Sequence, residues 1–126
     1  GIYRIYSLIT FGGESMVIRF KERNGTLIVH MSGELDHHSA EESRIRIDNK
    51  IDELGVHSIL FDFSGVNFMD SSGIGVVIGR YKKVSDFGGR TGIINMKPAI
   101  KRIFEMGGLF KIIKEYKSLE EALESL

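Results

Sequence analysis

Two β-favouring runs, residues 17–22 and 26–32, are separated only by Arg23-Asn24-Gly25, and this junction constrains the chain more than any other stretch. Asn-Gly supplies the backbone angles of a tight two-residue turn whose twist matches the strands on either side, so a β-hairpin is expected here. Beyond it the pattern changes from strands to an alternation of helices and strands. Ser39-Ala40-Glu41-Glu42 has the form of a capping box, and Ala40, Ile47, Ile51 and Leu54 then share one helical face before Gly55 ends the run. Residues 58–63 read as a strand with little polar interruption, covered on at least one face.

After Ser64-Gly65 and the apolar pair Phe68-Met69, a second helix is expected from about Asp70 to Phe87, with Ile74, Val77, Ile78, Tyr81 and Val84 as its buried stripe. Gly88-Gly89 breaks it and residues 91–95 give another strand. Lys97-Pro98 puts proline at the first turn of a third helix, which runs to Gly107-Gly108. Residues 110–114 form a short strand candidate, and Ser118-Leu119-Glu120-Glu121 is a second capping box opening a terminal helix. This order predicts an α/β fold: a mixed β-sheet flanked by α-helices.

With 126 residues, 42% of them hydrophobic, the chain can build one core but not two domains. Met16 opens the regular pattern, so residues 1–15 are expected to be an N-terminal extension outside a domain spanning 16–126, with an extra edge strand as the alternative. Residues 2–9 alternate weakly and lack a basic region followed by a long apolar core, which makes them a poor signal peptide. The apolar stretches fall well short of the roughly 18 to 20 residues that span a bilayer, so a soluble, cytoplasmic protein without a membrane partner is expected. A formal net charge of zero gives no bulk field favouring nucleic acid, and recognition must be local. The absence of cysteine excludes disulfides, zinc-thiolate sites and thiol nucleophiles.

Two stretches could carry chemistry. Phe68-Met69-Asp70-Ser71-Ser72-Gly73-Ile74-Gly75 puts two hydroxyls and a carboxylate at a strand-to-helix junction, where backbone N–H groups lack intrahelical partners. Helix capping accounts for Asp70 and the serines, but Gly73, Gly75 and Gly79 each cost a helix about 0.8 to 1 kcal/mol relative to alanine. Close approach of the helix to the sheet, or to a docking protein, would offset that cost. A phosphate at such a helix start meets free amides and the positive end of the helix dipole, while a partner fitted to a neutral hydroxyl meets nearly two negative charges and is repelled.

The second stretch is Gly33-Glu34-Leu35-Asp36-His37-His38, between the hairpin and the first helix. Its adjacent histidines would point to opposite faces of an extended segment and have no third ligand at a regular spacing, so a turn and helix entry is favoured over a metal site. Asp36-His37-His38 is shared with a phosphoesterase motif, but those enzymes need further acidic motifs and a longer chain. The glycines at 73, 75 and 79 do not fit the dinucleotide fingerprint, no lysine follows them as a P-loop requires, and no nucleophile elbow surrounds Ser71 or Ser72. A small hydrolase using Ser71 or Asp36 would lack a general base held by an orienting partner. Lys97, Lys101 and Arg102 on the third helix read as a solvated face or a small docking patch. A binding protein without catalytic activity or cofactor is therefore expected.

Residues 16–126 resemble the sporulation-type anti-sigma factor antagonists, which are single STAS domains. The resemblance is carried by the two stretches above together with Gly79-Arg80-Tyr81-Lys82 and Gly108-Leu109-Phe110-Lys111-Ile112-Ile113, in the family's order and spacing. It implies a partner switch: the unphosphorylated antagonist binds an anti-sigma factor serine kinase and frees a sigma factor. The kinase phosphorylates the antagonist, which dissociates, and a serine phosphatase resets it. The resemblance implies Ser71 as the phosphoacceptor, puts Asp36 near its hydroxyl, and assigns Glu34, Asp36, His37, Asp70, Ser72, Gly73, Ile74 and Gly75 to partner binding. A STAS module of a stress-signalling or sensory complex is the alternative. A helical wheel centred on Ile74, Val77, Ile78 and Tyr81 points the other way on one detail, turning Ser72 away from the core and leaving Ser71 on its flank.

Overall fold

A computed structural model of the chain describes residues 3–11 and 16–126. Strands β1 (Arg4–Phe11), β2 (Met16–Arg23), β3 (Thr26–Leu35), β4 (Ser58–Met69), β5 (Thr91–Ile94) and β6 (Lys114–Glu115) form one sheet in chain order. The first three pair antiparallel and β3 to β6 pair parallel, so the sheet is mixed. The β2–β3 hairpin turns on Asn24 and Gly25 alone, since Arg23 pairs with Thr26. Both residues have positive φ, 51° and 81°, the requirement that makes Asn-Gly suit this turn.

Helices α1 (Ala40–Leu54), α2 (Ser71–Ser85) and α3 (Pro98–Met106) are the crossovers of the parallel part. Each crossover steps one strand in the same direction, and right-handed connections then all fall on one side of the sheet. Their apolar faces, including Ile47, Ile51, Val77, Val84, Ile100 and Phe104, bury against Val29, Phe61 and Phe63. Helix α4 (Leu119–Ser125) packs Ala122 on the opposite sheet face, over Ile28, Leu60, Ile94 and Tyr116. The strands are thus apolar on both faces where α4 lies, as the near-continuous run at 58–63 predicts.

Four local expectations need correction. Strand β4 does not stop at Ser64-Gly65 but runs to Met69, with a register shift against β3. Gly65 allows this, because a Cβ there would sit 2.9 Å from the Cα of Ser32 and nearer still to its hydroxyl. Ser39 does not form the predicted capping box: its hydroxyl donates to the Glu34 carbonyl at 2.7 Å, and the first turn is instead organised by Asp36. Residues 110–114 are not a strand. Leu109–Lys111 form one 3-10 turn and only Lys114 and Glu115 join the sheet. The fourth correction is the buried face of α2, which consists of Gly73, Val76, Val77, Arg80 and Val84, with Ile74, Ile78 and Tyr81 only partly buried beside it.

That rotated face follows from two groups that an apolar wheel does not count. Gly73 is buried by close approach, and Arg80 is only 7% exposed because its Nε lies 2.8 Å from Asp48 Oδ1 on α1. The N–H does not line up with that oxygen, so charge more than an aligned hydrogen bond holds the pair. Burial pushes the Arg80 pKa down and Asp48 pushes it back up, and guanidinium remains charged throughout the accessible range.

Candidate functional site

Parallel pairing of β3 with β4 ends both strands on the same edge of the sheet, Leu35 opposite Met69. The segment that follows each strand therefore starts beside the other, and residues separated by more than thirty positions become neighbours. Asp70 joins them. Its amide donates to the Leu35 carbonyl at 3.4 Å, and its Oδ2 accepts from the His37 amide at 3.3 Å. Its Oδ1 caps α2 by accepting from the amides of Ser72 at 2.9 Å and Gly73 at 3.3 Å. One carboxylate thus holds both the helix start and the β3–α1 loop, and its charge suits the positive end of the helix dipole.

Ser71 opens α2 and is exposed, while Ser72 is half-buried. This reverses the wheel's ordering of the two serines, for the same reason that the buried face is rotated. The helix start is also less open than its sequence implies, because Asp70 already occupies two of the unpaired amides. Gly73 answers part of the glycine question: a Cβ there would sit 2.4 Å from the Leu35 carbonyl oxygen and 2.8 Å from Met69 Cγ. The helix can begin this close to the sheet only with glycine at 73. Gly75 and Gly79 have no such reason, since a Cβ at either would meet nothing within 4 Å. Gly75 is exposed, and Ile74 beside it is half-buried.

Across the junction, Asp36 Oδ1 accepts from the amides of His38 at 2.9 Å and Ser39 at 3.2 Å. Asp36 therefore caps the turn leading into α1, which gives its carboxylate a structural role of its own. Glu34, His37 and His38 are exposed, and the two imidazole rings lie 3.8 Å apart between centroids. Among the described residues no three of His, Cys, Asp or Glu are grouped so as to hold a metal ion. What the structure brings together is the exposed Ser71 at the start of α2, the Asp70 carboxylate that ties this start to the β3–α1 loop, and a helix surface where Gly75 leaves the backbone uncovered.

Sequence reasoning missed two residues here. Phe68 reads in the sequence only as half of an apolar pair before α2, yet it is 50% exposed at the end of β4 while Met69 is buried. Arg80 was noted only as part of a motif, yet it fixes α2 against α1. A charged residue seven positions after Gly73, on the same helical face, is the signal that could have revealed it.

The family profile described as STAS domain matches residues 17–122. An anti-sigma F factor antagonist from Paenibacillus polymyxa is 38% identical over 112 residues, covering 89% of this chain and 96% of the relative. Among solved structures, the anti-sigma factor antagonist SpoIIAA in its unphosphorylated form superposes with a TM-score of 0.67 at 31% identity, covering 86% of this chain and 96% of that one. The Bacillus cell fate determinant SpoIIAA in the phosphorylated form gives the same TM-score at 32% identity, covering 86% and 97%. Among the described residues no helix is long and apolar enough to cross a membrane.

Proposed function

Because this chain belongs to the STAS domain family, we propose that it acts as an anti-sigma factor antagonist, a regulatory binding protein switched by phosphorylation of Ser71. In its unphosphorylated form it binds an anti-sigma factor serine kinase and thereby frees a sigma factor of the sporulation type. Phosphate from ATP on Ser71 ends that binding, and a serine phosphatase restores it. The exchange takes place in the cytoplasm, and residues 16–126 are the functional unit, to whose sheet β1 adds an edge strand.

The observation that carries this reading is the exposed Ser71 hydroxyl at the start of α2, beside a loop tied to it through Asp70. The protein supplies an acceptor, and the kinase supplies the catalytic groups. Phosphate at Ser71 adds close to two negative charges next to the Asp70 carboxylate, which already occupies the amides of Ser72 and Gly73. The new charge is therefore directed at the partner more than neutralised by the helix. Both forms of SpoIIAA share the same likeness to this chain, which supports a switch that leaves the fold intact.

The test is to incubate the protein with its host's anti-sigma kinase and ATP and to weigh it intact. One added phosphate is expected, absent in Ser71→Ala and retained in Ser72→Ala. Phosphate located on Ser72 by fragment mass spectrometry overturns the acceptor assignment.

A further inference from the structure

We propose that Phe68 is an apolar anchor for the serine kinase, seated in a socket next to the place where the kinase receives Ser71; this rests on the function proposed above. The register of β3 against β4 sets Phe68 opposite Glu34 and Met69 opposite Leu35. Leu35 and Met69 are buried under the crossover helices, whereas Glu34 and Phe68 are exposed. Alternation along each strand therefore puts Glu34 and Phe68 on the other sheet face. Helix α4 covers that face only at its far end, over Ile28, Leu60, Ile94 and Tyr116. Among the described residues no helix covers the end of the face where Phe68 stands, half exposed.

The fold gains little from a phenyl ring at this position, since Val66 and Met69 already fill the core on the opposite side. A ring left half in water is instead available for burial against another surface, and aromatic side chains are over-represented among residues that dominate interfaces. Phe68 precedes Ser71 by three residues, so at most about 11 Å of extended chain separates them. A kinase that engages Ser71 must cover this strand end. The neighbouring side chains indicate the partner's chemistry: the exposed Glu34 pairs opposite Phe68, and Lys97 reaches Asn67, the residue before Phe68. The matching surface is an apolar socket with a basic group placed to meet Glu34.

Phe87 provides an internal control, being similarly exposed at 54% but beyond the opposite end of α2. The experiment compares wild type, Phe68→Ala, Phe68→Leu and Phe87→Ala as substrates of the host kinase, with urea unfolding of each. Phe68→Ala should raise KM at least about fivefold with little change in kcat, as loss of a substantial contact does. Phe68→Leu should recover most of the loss, and Phe87→Ala should behave as wild type. The urea midpoint of Phe68→Ala should stay near that of wild type, which separates docking from folding. Wild-type KM in Phe68→Ala removes this surface while leaving the function standing. A wild-type chain that accepts no phosphate removes both.

Discussion

Gly75→Ala should make the folded protein more stable and its partner binding weaker. Gly75 lies inside α2, where glycine costs about 0.8 to 1 kcal/mol relative to alanine. Its position offers no steric reason for that cost, because an added Cβ meets nothing within 4 Å. The whole propensity difference should therefore appear as stability. For a chain of 126 residues this corresponds to a rise in Tm of roughly 2 to 6 °C. With a urea m-value of about 1 to 3 kcal/mol/M, the midpoint should rise by roughly 0.3 to 1 M. A partner packed directly on the exposed helix backbone must make room for the new methyl, a misfit of about 1 to 3 kcal/mol or some 5- to 150-fold in affinity. Urea unfolding followed by circular dichroism reads the first effect, and titration calorimetry with the kinase reads the second. Loss of stability would refute the reading of Gly75 as unconstrained by the fold, and unchanged affinity would remove it from the docking surface.

The remaining predictions separate scaffold from surface. Gly73→Ala should destabilise by about 1 to 3 kcal/mol in urea unfolding, because the methyl is forced towards the Leu35 carbonyl oxygen at 2.4 Å, despite the gain in helix propensity. Asp70→Ala should cost about 0.5 to 2 kcal/mol through the lost cap. Asp70→Asn can keep the cap through its amide oxygen but offers an N–H towards the His37 amide, so hydrogen exchange at His37 should speed up with global stability nearly retained. Asp36→Asn should weaken kinase binding or phosphorylation without unfolding the domain, since its side-chain oxygen can still accept from His38 and Ser39. Normal phosphotransfer by Asp36→Asn would reduce Asp36 to a turn residue.

What could be read from the sequence was local chemistry with a strong backbone requirement. Asn24-Gly25 fixed a turn through two positive φ angles, Pro98 opened α3, and Asp70 capped α2, each without reference to the rest of the chain. The mixed sheet followed from the order of such elements. What stayed hidden depends on contacts across the fold. The continuation of β4 through Gly65 depends on the close passage of Ser32, and the buried face of α2 depends on Asp48 meeting Arg80. A wheel that counts only apolar residues rotates that face and misorders Ser71 and Ser72. Ser39 matched a capping box, but a nearer acceptor, the Glu34 carbonyl, took its hydroxyl. The stretches containing the candidate site were legible as composition, whereas the bridge that Asp70 makes between them required the parallel register of β3 and β4.

The central claim is that phosphate on Ser71 controls binding through the charge it presents to the partner. It is tested most directly by titrating the kinase with the unphosphorylated protein and with protein stoichiometrically phosphorylated on Ser71, in the same buffer. A coupling of about 1 to 3 kcal/mol predicts that the phosphorylated form binds some 5- to 150-fold more weakly. Equal affinities for the two forms would contradict the claim.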